Sequence, residues 1–167
     1  MKAPNPLCLA FLKDLEAEAP STRKCLERVP ESLYGWKPHE KSMTLGYLCL
    51  LVAEIPKWIS AMLEESEIDL GTFVHFKAAT TADMVRHFDE NIEHARAVLQ
   101  AAPDADLAGP FHLKNKGTVL VTIPKGENIG PTIRHLVHHR GQLTVFMRLN
   151  DIAVPAIYGP SADERGF

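Results

Sequence analysis

Apolar positions recur at helical spacing in four stretches of the chain. Leu7, Phe11, Leu15, Thr22 and Leu26 share one stripe between Pro6 and Arg28, which predicts a first helix that Pro20 kinks or interrupts. Leu48, Leu51, Ile55, Trp58 and Met62 follow at steps of three and four, so a second helix begins at Ser42 or Thr44 and bends at Pro56. Thr80 or Thr81 caps a third helix that ends near Ala102, and a fourth runs from about Pro131, read as its first residue, to Leu149.

The segments between them read differently. "VPESLYGWKPHEKS" is a loop punctuated by Pro30, Gly35 and Pro38, and "SEIDLGTFVHFKAAT" has little helical character. "APDADLAG" is a turn-rich linker, and "NDIAVPAIYGPSADERGF" closes the chain as an irregular tail. In "FHLKNKGTVLVTIPKGENIG" the β-branched run "GTVLVTI" breaks the helical period and predicts a short extended arm or hairpin. The expectation is an all-α fold: one domain over residues 1–167, a four-helix bundle with a short extended insertion before the last helix.

Composition narrows the function classes. A chain of 167 residues can bury a core without disulfides or metal, and its formal charge of -3 removes the driving force for neutralising phosphates, so no nucleic-acid partner is expected. The N-terminal stretch is broken by prolines and acidic residues and no run reads as a membrane span, so a soluble cytoplasmic protein without a membrane partner is expected. Cys8, Cys25 and Cys49 are odd in number and far apart, which reads as reduced thiols packed as small apolar groups.

The chemistry concentrates in "HLVHHRGQL", residues 135–143, which holds three of the eight histidines. His135 and His139 stand four apart on one helical face and can aim at one point, with His139 inward and His138 at the rim. A paired imidazole is a two-ligand chelate that needs a third protein ligand to make a competent metal site. His39 and His75 fall in loops, His112 in the arm, and His87 and His94 on the third helix, with His94 toward solvent. Gly141 marks tight packing, and Gln142 is placed to orient a ring or a substrate. Trp58 reads as core, and Trp36 as a contact across a bundle end or a dimer interface.

"HLVHHRGQLTVFMRLND" resembles the last-helix signature of the DinB/YfiT-like superfamily, and "VPESLYGWKPHEKSMTLGYL", "VAEIPKW" and "VPAIYGPSADE" resemble further segments of it in the same order. This DinB is not the translesion polymerase of that name. The resemblance implies an up-down-down-up bundle, often dimeric, with a divalent metal such as zinc, nickel or manganese on three histidines, one from the second helix and two from the last. The last-helix ligands fall on His135 and His139, but the second-helix position, three before the glutamate of "VAEIPKW", is Leu51. Glu54 is the candidate replacement, since a carboxylate is a legitimate partner for two imidazoles, whereas Cys49 points to roughly the opposite side of the helix.

Two functions follow from the resemblance. One is a metal-dependent enzyme of the thiol S-transferase or hydrolase type, with a low-molecular-weight thiol activated on the metal, Gln142 and His138 lining the pocket, His138 as a proton shuttle, and Tyr47 donating a hydrogen bond from one turn earlier on the second helix. The other is a metal-free bundle, emptied of its metal by Leu51, that binds a small ligand or a protein partner. A homodimer is expected in either case.

Overall fold

Four long helices and one small sheet carry the chain, and the first three long helices each start where the sequence supplies a side-chain cap. The computed structural model describes residues 5–165, apart from the side chains of residues 104 and 105. In α1 (Pro6–Glu27) the Asn5 side chain accepts from the backbone of Leu7 and Cys8, with Pro6 at the first position. Thr44 caps α2 (Leu45–Glu64). Thr80 and Asp83 form a reciprocal capping box on α3 (Thr81–Ala101), a device of about 1 kcal/mol. A short helix α4 (Asp104–Ala108) precedes the two-stranded hairpin of the sheet, and α5 (Lys125–Leu149) is the last helix of the bundle.

Side-chain pairs set the direction of each helix. Arg23 meets Asp89 and Arg96 meets Glu16, so α1 and α3 are antiparallel. Asn91 donates to the Ala53 carbonyl and His94 faces Glu64, so α2 and α3 are parallel. Lys125 donates to the Leu63 carbonyl while Trp58 touches His135, so α2 and α5 are antiparallel. The helices therefore run up, down, down, up, and the packed pairs α1–α3, α3–α2, α2–α5 and α5–α1 close the ring. α2 is long and apolar enough to cross a membrane, but 61% of that window is buried, as suits the core helix of a bundle.

The fold is not strictly all-α. Three strands, β1 (Glu67–Asp69), β2 (Pro110–Asn115) and β3 (Thr118–Pro124), form a sheet in the order β1-β2-β3. The hairpin expected from "GTVLVTI" is present, with Phe111 opposite Ile123 and a register shift between Leu113 and Lys114. β1 adds in parallel to β2, a pairing across more than forty residues that leaves no local mark in the sequence. At the hairpin tip Lys116 and Gly117 both take positive φ, as a primed two-residue turn requires, and Asp69 holds the strained Lys116 by accepting from both amides. Those same donors hold the Asp69 carboxyl below its ordinary range, the Gly117 amide foremost.

Two further expectations change. α5 begins at Lys125, six residues before the expected start, so Pro131 lies inside it at the loss of one backbone hydrogen bond. Tertiary burial outweighs that cost: Ile129 is fully enclosed, Lys125 is buried on Leu63, and Gly126 packs closely on Leu107. On α1 the buried face carries Cys8 and Leu12, and Leu7 points outward. Pro20 and Pro56 both sit inside continuous helices.

Candidate functional site

His135 and His139 converge as their spacing requires. Their Nε2 atoms lie 2.7 Å apart, and His139 Nδ1 lies 2.7 Å from Gln142 Oε1. The amide oxygen only accepts, so His139 carries its proton on Nδ1 and its Nε2 accepts from His135 Nε2–H. One proton per ring satisfies the chain, and His135 Nδ1 is left as an acceptor. Burial lowers both pKa values; neighbouring imidazoles add to the effect on each, and the Gln142 hydrogen bond opposes it on His139. His139 is buried and His138 is exposed, edge-on to the His139 ring at 4.9 Å, as the helical face predicts.

A cavity of about 240 Å³ opens beside the pair, and His135 forms part of its wall. Trp58, Phe111, Ile123 and Pro131 give it apolar sides, and Asn128 and Thr132 supply polar atoms. Trp58 is thus half-buried in a ligand-sized wall and touches His135 edge-on, a role beyond the plain core position expected for it. The hairpin therefore contributes Phe111, Leu113, Val121 and Ile123 as one side of a pocket.

Glu54 lies elsewhere. Its side chain is 2% exposed, and its two oxygens are taken by the Phe76 amide at 2.7 Å and His75 Nδ1 at 2.6 Å, with His87 Nε2 at 3.8 Å. Tyr47 is exposed and its ring meets His75, and Cys49 is buried in the core. Leu51 is half-buried and apolar. Among the described residues no three His, Cys, Asp or Glu side chains are placed to hold a metal ion. Two imidazole nitrogens on one tetrahedral metal stand about 3.3 Å apart, given bonds of about 2.0–2.1 Å, whereas the separation here is that of a hydrogen bond. The donor set does not fit a three-ligand metal centre.

The remaining histidines serve locally. His39 accepts from the Lys41 amide, His112 meets Thr122 across the hairpin, and exposed His94 pairs with exposed Glu64. Gly141 marks no close approach, since a Cβ there would meet nothing within 4 Å. Trp36 packs edge-on against Phe146. Arg140 is the residue of the motif whose role sequence spacing did not reveal. It is 1% exposed and binds the Glu18 carboxylate and carbonyl, Ser21, Thr22 and Tyr158, tying α5 to α1 and to the C-terminal segment.

Comparison with known proteins places this architecture. The solved structure of a DinB-like protein from Bacillus cereus is 21% identical, with a TM-score of 0.69 over 90% of this chain and 97% of that one. A DinB-like protein from Bacillus subtilis gives a TM-score of 0.69 at 16% identity, over 87% and 96% of the two chains. A curated relative, the uncharacterized protein YrdA of Bacillus subtilis, is 48% identical over 42 residues, so the match spans 25% of this chain and 25% of that relative. The family model of the DinB family matches residues 1–165. With the bundle, the hairpin and the last-helix histidines arranged as described, the chain belongs to the DinB family.

Proposed function

We propose that this DinB-family chain is a small-molecule-binding bundle, in which the His135–His139–Gln142 array meets a compact apolar ligand in the adjoining cavity without a three-donor metal centre. One observation carries the reading: His135 is at once a wall of the cavity and the open end of a hydrogen-bonded chain of neutral imidazoles. A ligand of this class has an apolar body for Trp58 and Phe111 and one donor for His135 Nδ1. Leu51 and the engaged oxygens of Glu54 support the same reading, since neither offers the array a third donor.

The competing reading, a metal-dependent thiol S-transferase, draws support from the convergence of two neutral imidazoles, and it needs donors from outside the chain. Elemental mass spectrometry of the untagged protein, after reconstitution with zinc, nickel and manganese and dialysis, separates the two. The ligand-binding reading expects no retained metal, together with quenching of Trp58 emission in a Trp36→Phe background by small apolar donors such as indole. Near-stoichiometric metal that is lost in His139→Ala would overturn it in favour of the metal-dependent enzyme.

A further inference from the structure

A second group of titratable side chains is separate from the His135–His139 pair and linked to it through ring contacts, Trp58 meeting His135 and Phe73, and Phe73 meeting His75. Glu54 of α2 is buried and cannot turn to solvent. Its Oε1 accepts from the Phe76 amide, which can only donate, and its Oε2 accepts from His75 Nδ1 at 2.6 Å. The proton of neutral His75 is therefore held on Nδ1, and the lone pair is at Nε2. That nitrogen has no protein partner among the described residues, and the His75 side chain is 43% exposed. A histidine pinned by a buried carboxylate with its other nitrogen open to solvent has the arrangement of an oriented general base.

The surroundings define what such a base can meet. Tyr47 and Phe73 stand edge-on to the His75 ring at 5.7 and 5.0 Å, forming an aromatic wall, and the Lys57 ammonium lies 5.2 Å from the Phe73 centroid. Asn91 fixes the neighbouring His87: its amide nitrogen donates to the Ala53 carbonyl and lies 3.2 Å from His87 Nε2, and Phe76 stacks on that ring at 4.1 Å. The segment bearing His75 is thus packed in place from both sides. The wall suits a planar aromatic group, and the lysine suits a developing negative charge.

We propose that His75 is a catalytic general base, positioned by Glu54, for attack of water on small aryl esters held against Tyr47 and Phe73. Water gives a proton to His75 Nε2 while its oxygen bonds to the acyl carbon. The C–O bond to the aryl group breaks, the aryl oxide leaves with the electron pair, and the proton on His75 passes to it or to solvent. The Glu54 carboxylate stabilises the imidazolium formed between the two steps.

The first test reads the ring itself. Long-range ¹H–¹⁵N correlation spectra of histidine-labelled protein, at a pH where the rings are neutral, should show His75 as the Nδ1–H tautomer. In Glu54→Gln the one amide oxygen stays with the Phe76 amide and the NH₂ faces His75 Nδ1, so the tautomer should reverse to Nε2–H. The second test follows 4-nitrophenyl acetate hydrolysis. His75→Gln and Glu54→Gln should each lower the rate by roughly tenfold or more, and His94→Gln, which removes an exposed His–Glu pair, should leave it unchanged. An Nε2–H tautomer for His75 in the native protein overturns the proposal, as does a hydrolysis rate that His75→Gln does not alter. If Glu54→Gln fails to fold, the native tautomer and His75→Gln still decide the matter.

Discussion

Removing Glu18 tests the buried clasp that seats the histidine helix. The Arg140 side chain is 2% exposed and faces the Glu18 carboxylate at 2.6 Å, whereas Glu18 is 15% exposed. Glu18→Ala leaves a nearly buried guanidinium without its carboxylate, with Ser21, Thr22, Tyr158 and one carbonyl as its remaining partners. Breaking a buried pair from one side costs about 3–5 kcal/mol. At about 2–4 °C per kcal/mol for a chain of this size, the midpoint should fall by roughly 6–20 °C. Arg140→Met should cost less, about 1–3 kcal/mol, because the freed Glu18 can rehydrate and the Thr22 hydroxyl already donates to the Glu18 carbonyl. Urea unfolding followed by circular dichroism, with equal m-values required for the comparison, reads both. A loss below about 1 kcal/mol in Glu18→Ala would falsify the argument, since the clasp would then contribute no more than an exposed ion pair. An Arg140→Met loss larger than that of Glu18→Ala would refute the assigned asymmetry.

Other expected outcomes follow from single features of the structure. Gly141→Ala should stabilise by about 0.5–1 kcal/mol in thermal unfolding, because the position is helical, exposed and open. Burial lowers the His87 pKa, so the folded state resists protonation while the unfolded chain does not. Stability from this group is complete above the unfolded value near 6.5 and declines as pH falls toward the lower folded value, and His87→Gln should flatten that part of the stability profile. Leu51→His should give the His135–His139 pair a third donor, and zinc retention after dialysis should rise from none to near one per chain; no retention would break the alignment of α2 with the metal-binding pattern. Burial pushes the Cys25 thiol up to about 11 and Cys49 up to about 12, so neither should react with a thiol reagent at pH 8 in the native state, and both should react in denaturant.

Local periodicity was enough for much of this protein. The caps at Thr44 and Thr80, the inward turn of His139 with His138 at the rim, and the convergence of His135 on His139 all follow from a repeat of 3.6 residues, which relates positions only a few apart. The hairpin follows equally from β-branched residues around a turn. Relations between distant segments were decided only on folding. The parallel seat of β1 on β2, the early start of α5 through Pro131, and the enclosure of Arg140 each depend on what another element covers. The same holds for chemistry: Glu54 has no local reason to choose between the last-helix histidines and His75, which lies 21 residues away. Packing chose His75, because a buried carboxylate must be satisfied by whatever donors the tertiary fold brings within reach, and those donors are invisible to spacing along the chain.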